Sequence, residues 1–139
     1  MNKKILLPGF ISGMAILVIG MMALSRIWNV IFPSLEQEYK QVIFRPWSDP
    51  IMWLFYLYPF VLGLVLAWGW EKTKGLIRGK NIYKRGLVFG LCYWLAASLP
   101  GMLMSLSSFR VSVVMVFSWS LGGLIQAVIT GWILAKINP

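Results

Sequence analysis

Residues 111–135 read VSVVMVFSWSLGGLIQAVITGWILA, without one charged side chain. At 1.5 Å per residue a helix of that length is about 37 Å long, more than the roughly 30 Å hydrocarbon core of a bilayer. Gly123, Ala127 and Gly131 recur every four residues and fall on one helical face. Ser118, Gly122, Gln126 and Thr130 follow the same spacing one step round, a small and partly polar line beside the first. In lipid, helices gain little from the hydrophobic effect, because acyl tails are as apolar as Leu. Close backbone approach has to hold them together, and small residues four apart allow it. The stretch therefore reads as a transmembrane helix that packs on others through its small-residue face.

Three further apolar runs precede it, giving spans at about 5–32, 51–70, 86–107 and 111–135 within one membrane domain covering residues 1–139. Each carries its own small pair: Gly9 and Gly13, Gly63 and Ala67, Gly86 and Gly90. Ala23-Leu24-Ser25 has the small-x-small form of a signal-peptide cleavage site. The run around it is long enough to span, so a retained helix is expected. Pro59 and Pro100-Gly101 interrupt the second and third spans. Proline has no N–H, so the carbonyls of Phe55 and Ala96 would lose their helical partners and a kink or polar cavity could form there. The connection Ser107-Ser108-Phe109-Arg110 is short enough to make the third and fourth helices antiparallel neighbours.

Residues 33–50 differ in character. Ser34 and Gln37 have capping-box spacing, Glu36 and Glu38 fall in a first helical turn, and Leu35, Tyr39, Val42 and Ile43 make one apolar stripe before Pro46. A short amphipathic helix lying in the membrane interface is expected, with Trp47 as an anchor. The fold class is thus all-α: a four-transmembrane-helix antiparallel bundle with a short interfacial helix between helices 1 and 2.

Composition agrees. Of 139 residues, 59% are hydrophobic and 12% charged, and mean hydropathy is +0.76. So small a water-soluble fold cannot bury that much apolar surface. The net charge of +9 comes from 13 Lys and Arg against 4 acids. The cations cluster beside the apolar runs, which points to topology and lipid headgroups rather than nucleic acid. Lys3, Lys4, Lys72, Lys74, Arg78, Lys80, Lys84, Arg85 and Lys136 fall on the side of the termini, and Arg26, Lys40, Arg45 and Arg110 on the other. The positive-inside rule then puts both termini in the cytoplasm, in a bacterial inner (plasma) membrane, with anionic headgroups gathered at the basic loop 71–85.

Catalytic chemistry lacks its parts. Without histidine there is no Ser-His-Asp or Cys-His arrangement and no usual haem ligand, and with Cys92 as the one cysteine there is no typical zinc site. No acid lies inside a span, so no buried carboxylate pair is available. No catalytic, cofactor-binding or metal-ligating residue is expected, and no cofactor. The polar candidates are Arg26, Ser118, Gln126 and Thr130, as the lining of a cavity between kinked helices. Gln126 would serve equally as interhelical glue, worth about 0.6 kcal/mol. Arg26 would snorkel to the outer headgroups or pair with Asp49, Glu36 or Glu38, because an arginine at mid-bilayer costs about 3 kcal/mol.

Small four-helix multidrug exporters resemble this chain in size and helix count. Their first span depends on a glutamate, and Ile5–Leu24 has no charge, so only the architecture corresponds. The runs Met52-Trp53-Leu54-Phe55-Tyr56-Leu57, Gly86-Leu87-Val88-Phe89-Gly90-Leu91 and Leu121-Gly122-Gly123-Leu124 resemble a group of small bacterial four-helix membrane proteins that carries no assigned activity. The expected role is non-enzymatic: a structural or accessory subunit working through helix packing, as a homo-oligomer or within a larger membrane complex. The alternative is a carrier or channel for a small molecule or lipid.

Overall fold

The computed structural model describes residues 3–41, 44–79 and 81–139, and among these all regular structure is helical. In chain order the elements are α1 (Lys3–Ile31), the short α2 (Ser34–Tyr39), α3 (Pro50–Thr73), α4 (Ile82–Ser108) and α5 (Val113–Ile137). The four long helices are each apolar and long enough to cross a membrane.

Their ends are set by local chemistry. Asp49 caps α3 by accepting the Ile51 N–H at 2.9 Å, and Asn81 caps α4 by accepting the N–H of Tyr83 at 2.9 Å and of Lys84. The Asn81 cap draws Tyr83, Lys84 and Arg85 into the first turn of α4, so this helix begins before the expected residue 86. α3 runs on to Thr73, beyond the expected Trp70, with Lys72 in its last turn where the helix dipole favours a cation. The basic loop shortens accordingly, and Gly79 turns it at φ +148°, a conformation that L side chains rarely adopt.

α2 departs from its expected form. Ser34 does not cap it, because Pro33 already has helical dihedrals (φ −59°, ψ −23°) and makes Ser34 an interior residue. The helix ends at Tyr39, and Val42 and Ile43 of the expected stripe lie outside the described residues. Leu35 is fully buried beneath it.

Two long helices contain wide π-type turns. In α4 this turn covers Trp94–Ser98, where the Leu99 N–H bonds to the Trp94 carbonyl five residues back, immediately before Pro100. The helix thus meets the missing proline N–H by widening. In α1 the wide turns cover Ile16–Leu24 and contain no proline. Pro59 is buried within α3, which stays helical on both sides of it.

Two helix pairs dominate the packing, α1 with α3 and α4 with α5, and contact between α1 and α5 joins them. Glycine makes both pairs possible. Gly9 lies against Leu64 and Gly13 against the backbone of Phe60, and a methyl group on Gly63 would overlap the Gly9 carbonyl. In the other pair, a methyl on Gly86 would come within 2.6 Å of the Gly131 carbonyl oxygen, and one on Gly90 within 2.5 Å of that of Ala127. Such contacts are backbone on backbone and cannot relax by turning a side chain. Ala67 is buried in a core of Ile16, Leu66, Trp70, Leu134 and Ala135 that ties α1, α3 and α5. Gly123 makes no comparable approach, because a methyl placed on it would come no nearer than 3.8 Å to its first neighbour, Ser98 Oγ. The adjacent Gly122 is the buried one, where a methyl would lie 3.4 Å from Trp28 Nε1.

Gly90→Leu or Gly63→Leu is therefore expected to destabilise the bundle by about 3 kcal/mol, the upper part of the overpacking range, whereas Gly123→Ala should stay within about 0.5 kcal/mol. Thermal melting of each variant in mild detergent measures the difference.

Candidate functional site

Polar side chains converge at the end of the bundle that carries both termini. Asn138, just past α5, is 8% exposed and is its centre. Its carbonyl accepts the Trp70 indole N–H at 2.7 Å, and its Oδ1 accepts from Lys74 Nζ at 2.7 Å. Its Nδ2 donates to Glu71 Oε2 at 2.6 Å and to the Lys4 carbonyl at 3.2 Å. Lys74 also pairs with Glu71 at 3.0 Å and donates to the Pro139 carbonyl at 3.3 Å. Arg85 donates from Nη2 to the Lys74 carbonyl at 2.9 Å and sets its guanidinium 5.5 Å from the centre of the buried Trp70 ring. All four long helices thus contribute to one knot: Lys4 from α1, Trp70 and Glu71 from α3, Arg85 from α4 and Asn138 from the end of α5. Sequence reasoning missed it, assigning no role to Asn138 and reading 71–85 as a headgroup-facing loop. One signal was available: Glu71 is the single acid among the cations of that side.

A second group forms at the opposite ends of the helices. Glu38 of α2 accepts the Ser112 backbone N–H, and its other oxygen accepts the Ser112 hydroxyl at 2.7 Å. Ser112 in turn caps α5 by accepting the Met115 N–H at 3.1 Å. A carboxylate therefore sits at the positive end of the α5 dipole. Next to it the Trp119 indole N–H donates to the Tyr39 hydroxyl at 2.6 Å, and Tyr39, Phe44 and Trp119 pack tilted and edge-on as one aromatic group. Burial pushes the Tyr39 phenol above its ordinary pKa. Phe44, Ser105, Phe109, Val111 and Trp119 line a cavity of about 220 Å³.

Ser118 is buried and its hydroxyl donates to the Met115 carbonyl of its own helix at 2.7 Å. Gln126 is half-buried, and its amide fills the space over Gly20, where a methyl would meet it at 2.5 Å. Gly20 lies in the wide-turned part of α1, and its role was not read from the sequence. Thr130 is buried, and its hydroxyl has no partner among the described residues; the same holds for Ser12 of α1. Arg26 is exposed. The acids proposed for it are engaged elsewhere: Glu36 with Lys40 at 2.9 Å, Asp49 with Arg45 at 2.8 Å, and Glu38 with Ser112. The Ile51 N–H and then Arg45 hold the Asp49 carboxyl below its usual range.

Among the described residues no three His, Cys, Asp or Glu side chains are grouped as a metal would need, and Cys92 is exposed. No protein-family model, curated protein or solved structure matches the chain.

Asn138→Ala removes a buried side-chain amide that serves three partners, Lys74, Glu71 and the Lys4 carbonyl, and should cost about 2 kcal/mol. Hydrogen exchange should then rise at the start of α1 and the end of α5 together. Ser112→Ala should cost about 1 kcal/mol through loss of the α5 cap, read from the melting temperature.

Proposed function

We propose that the chain is an integral membrane protein whose four helices cross the bilayer as an antiparallel bundle, with both termini in the cytoplasm, and that it works as a non-enzymatic packing subunit. The pairing of Gly9 with Leu64 and Gly13 with Phe60 supports opposite directions for α1 and α3. The excess of cations on the side of the termini supports the orientation. Trp47 and the Tyr39, Phe44 and Trp119 group support an interfacial position for the 34–50 segment.

The observation that carries the packing role is the uneven use of α4. Only 6% of its apolar window is buried, against 33% in α5. Its first half is held by Gly86 and Gly90, while its second half carries Ala97, Gly101 and Ser105 at four-residue spacing with nothing within 4 Å of a methyl placed on Gly101. That is the arrangement the chain itself uses to join helices, left open on the outside, and a second copy or a larger membrane protein would fit it.

Carrier function is the second reading. The unpartnered hydroxyls of Ser12 and Thr130, with Gln126 over the wide-turned part of α1, favour it by putting hydrogen-bonding groups in the interior.

Gly101→Leu separates the two. Because Gly101 faces open space, the variant should fold with unchanged melting temperature and lose the partner or second copy that co-purifies from native membranes. Retention of that partner by Gly101→Leu would contradict the packing role. Loss of liposome uptake in Gln126→Leu would favour the carrier.

A further inference from the structure

We infer that the groove between α1 and α3 holds one anionic phospholipid, with an acyl chain along the helices and the phosphate at Lys72. This rests on the membrane placement proposed above and adds a ligand that the packing role does not require.

Ile5, Leu64, Val65 and Trp68 line a groove of about 240 Å³ whose surface is almost wholly apolar. It adjoins the close approach of Gly9 to Leu64, and Ile5 and Trp68 extend it toward the end that carries the termini. Val65 and Trp68 are each 55% exposed, so the groove opens to the surroundings rather than to the core. In a bilayer its occupant is an acyl chain.

The mouth selects the headgroup. Lys72 follows Trp68 by four residues and stands one helical turn further along the same face of α3. It is exposed, and among the described residues neither a hydrogen bond nor an ion pair engages it. Its neighbours at this end differ: Lys74 is held by Glu71 and Asn138, and Arg85 by Trp70 and the Lys74 carbonyl. The Trp68 indole N–H has no partner among the described residues, although those of Trp70, Trp94, Trp119 and Trp132 all have one. An indole donor at the level of the glycerol esters, with an ammonium one turn above, matches the ester and phosphate oxygens of a phospholipid in order. Lys3, in the first turn of α1, adds a second exposed cation at the same end. Two positive charges beside the seat favour a lipid with net negative charge over a zwitterionic one.

The full-length chain, reconstituted in nanodiscs of equal parts phosphatidylglycerol and phosphatidylcholine, can be released and weighed by native mass spectrometry. One retained phosphatidylglycerol per chain is expected. Lys72→Gln should weaken retention about fivefold, and Lys72→Gln with Lys3→Gln about thirtyfold, from about 1 kcal/mol for each cation near the headgroups. Val65→Phe, which fills the groove, should abolish retention, while Arg78→Gln in the loop should leave it unchanged. Equal retention of phosphatidylcholine, an equal loss from Arg78→Gln and Lys72→Gln, or full retention by Val65→Phe would each overturn the seat. The packing role stands or falls separately, on the Gly101→Leu result.

Discussion

Gly63 against the Gly9 carbonyl, and Gly86 against that of Gly131, are the contacts on which the other packing depends. In the bilayer proposed above, the area-proportional driving force that folds soluble proteins would be nearly absent between apolar helices. Dispersion between closely fitted backbones must replace it, and dispersion falls away within a fraction of an ångström. Two pairs of helices meet this condition. The contact of α5 with α1 and α3 then has only to join two preformed units, and it does so with larger side chains: Ile16 of α1, Leu66 and Trp70 of α3, and Leu134 of α5. The exposed outer half of α4 follows from the same geometry, since its close contacts lie near its beginning, at Gly86 and Gly90.

Polar chemistry is concentrated at the two ends of the bundle, as it must be where the interior cannot hydrate it. At one end Asn138 ties α1 and α3 to the end of α5, its side-chain amide and its carbonyl engaged by groups far away in sequence, and Arg85 of α4 joins through the Lys74 carbonyl. At the other, Glu38 and Ser112 fasten the 34–39 helix to the start of α5. The glycine contacts set how close the helices come, and the polar ends set their register. Between them lie the buried Ser12 and Thr130 hydroxyls, which have no partner among the described residues.

The long helices were legible in the sequence because a charge-free run of more than twenty residues has few other stable outcomes. Residue types at the crossings were legible too: glycines 9, 13, 63, 86, 90 and 131 all lie at close approaches. Which small residue faces inward was harder to read. Gly123 and Gly122 are equally small, and the choice between them depends on the rotation of α5, which Trp28 and Leu24 of α1 share in setting. Helix ends shifted where a single side chain decided them, as Asn81 did for α4 and Pro33 for α2. The Asn138 knot joins residues 64 to 134 positions apart, a separation at which local pattern carries no information. Of the four polar candidates, Ser118, Gln126 and Thr130 share α5, and Arg26 stands exposed on α1, because neither periodicity nor composition can tell which helices will face one another.

The central claim is that the two glycine-closed pairs form within one chain, and disulfide cross-linking in native membranes tests it most directly. Phe10 and Phe60 face each other across α1 and α3 with ring centres 5.2 Å apart. With Cys92→Ser as background, Phe10→Cys with Phe60→Cys in one chain should oxidise to a species of monomer mass, and two chains carrying one substitution each should not cross-link when co-expressed. A dimer-mass product from the co-expressed single variants would place the pair between chains and contradict the account.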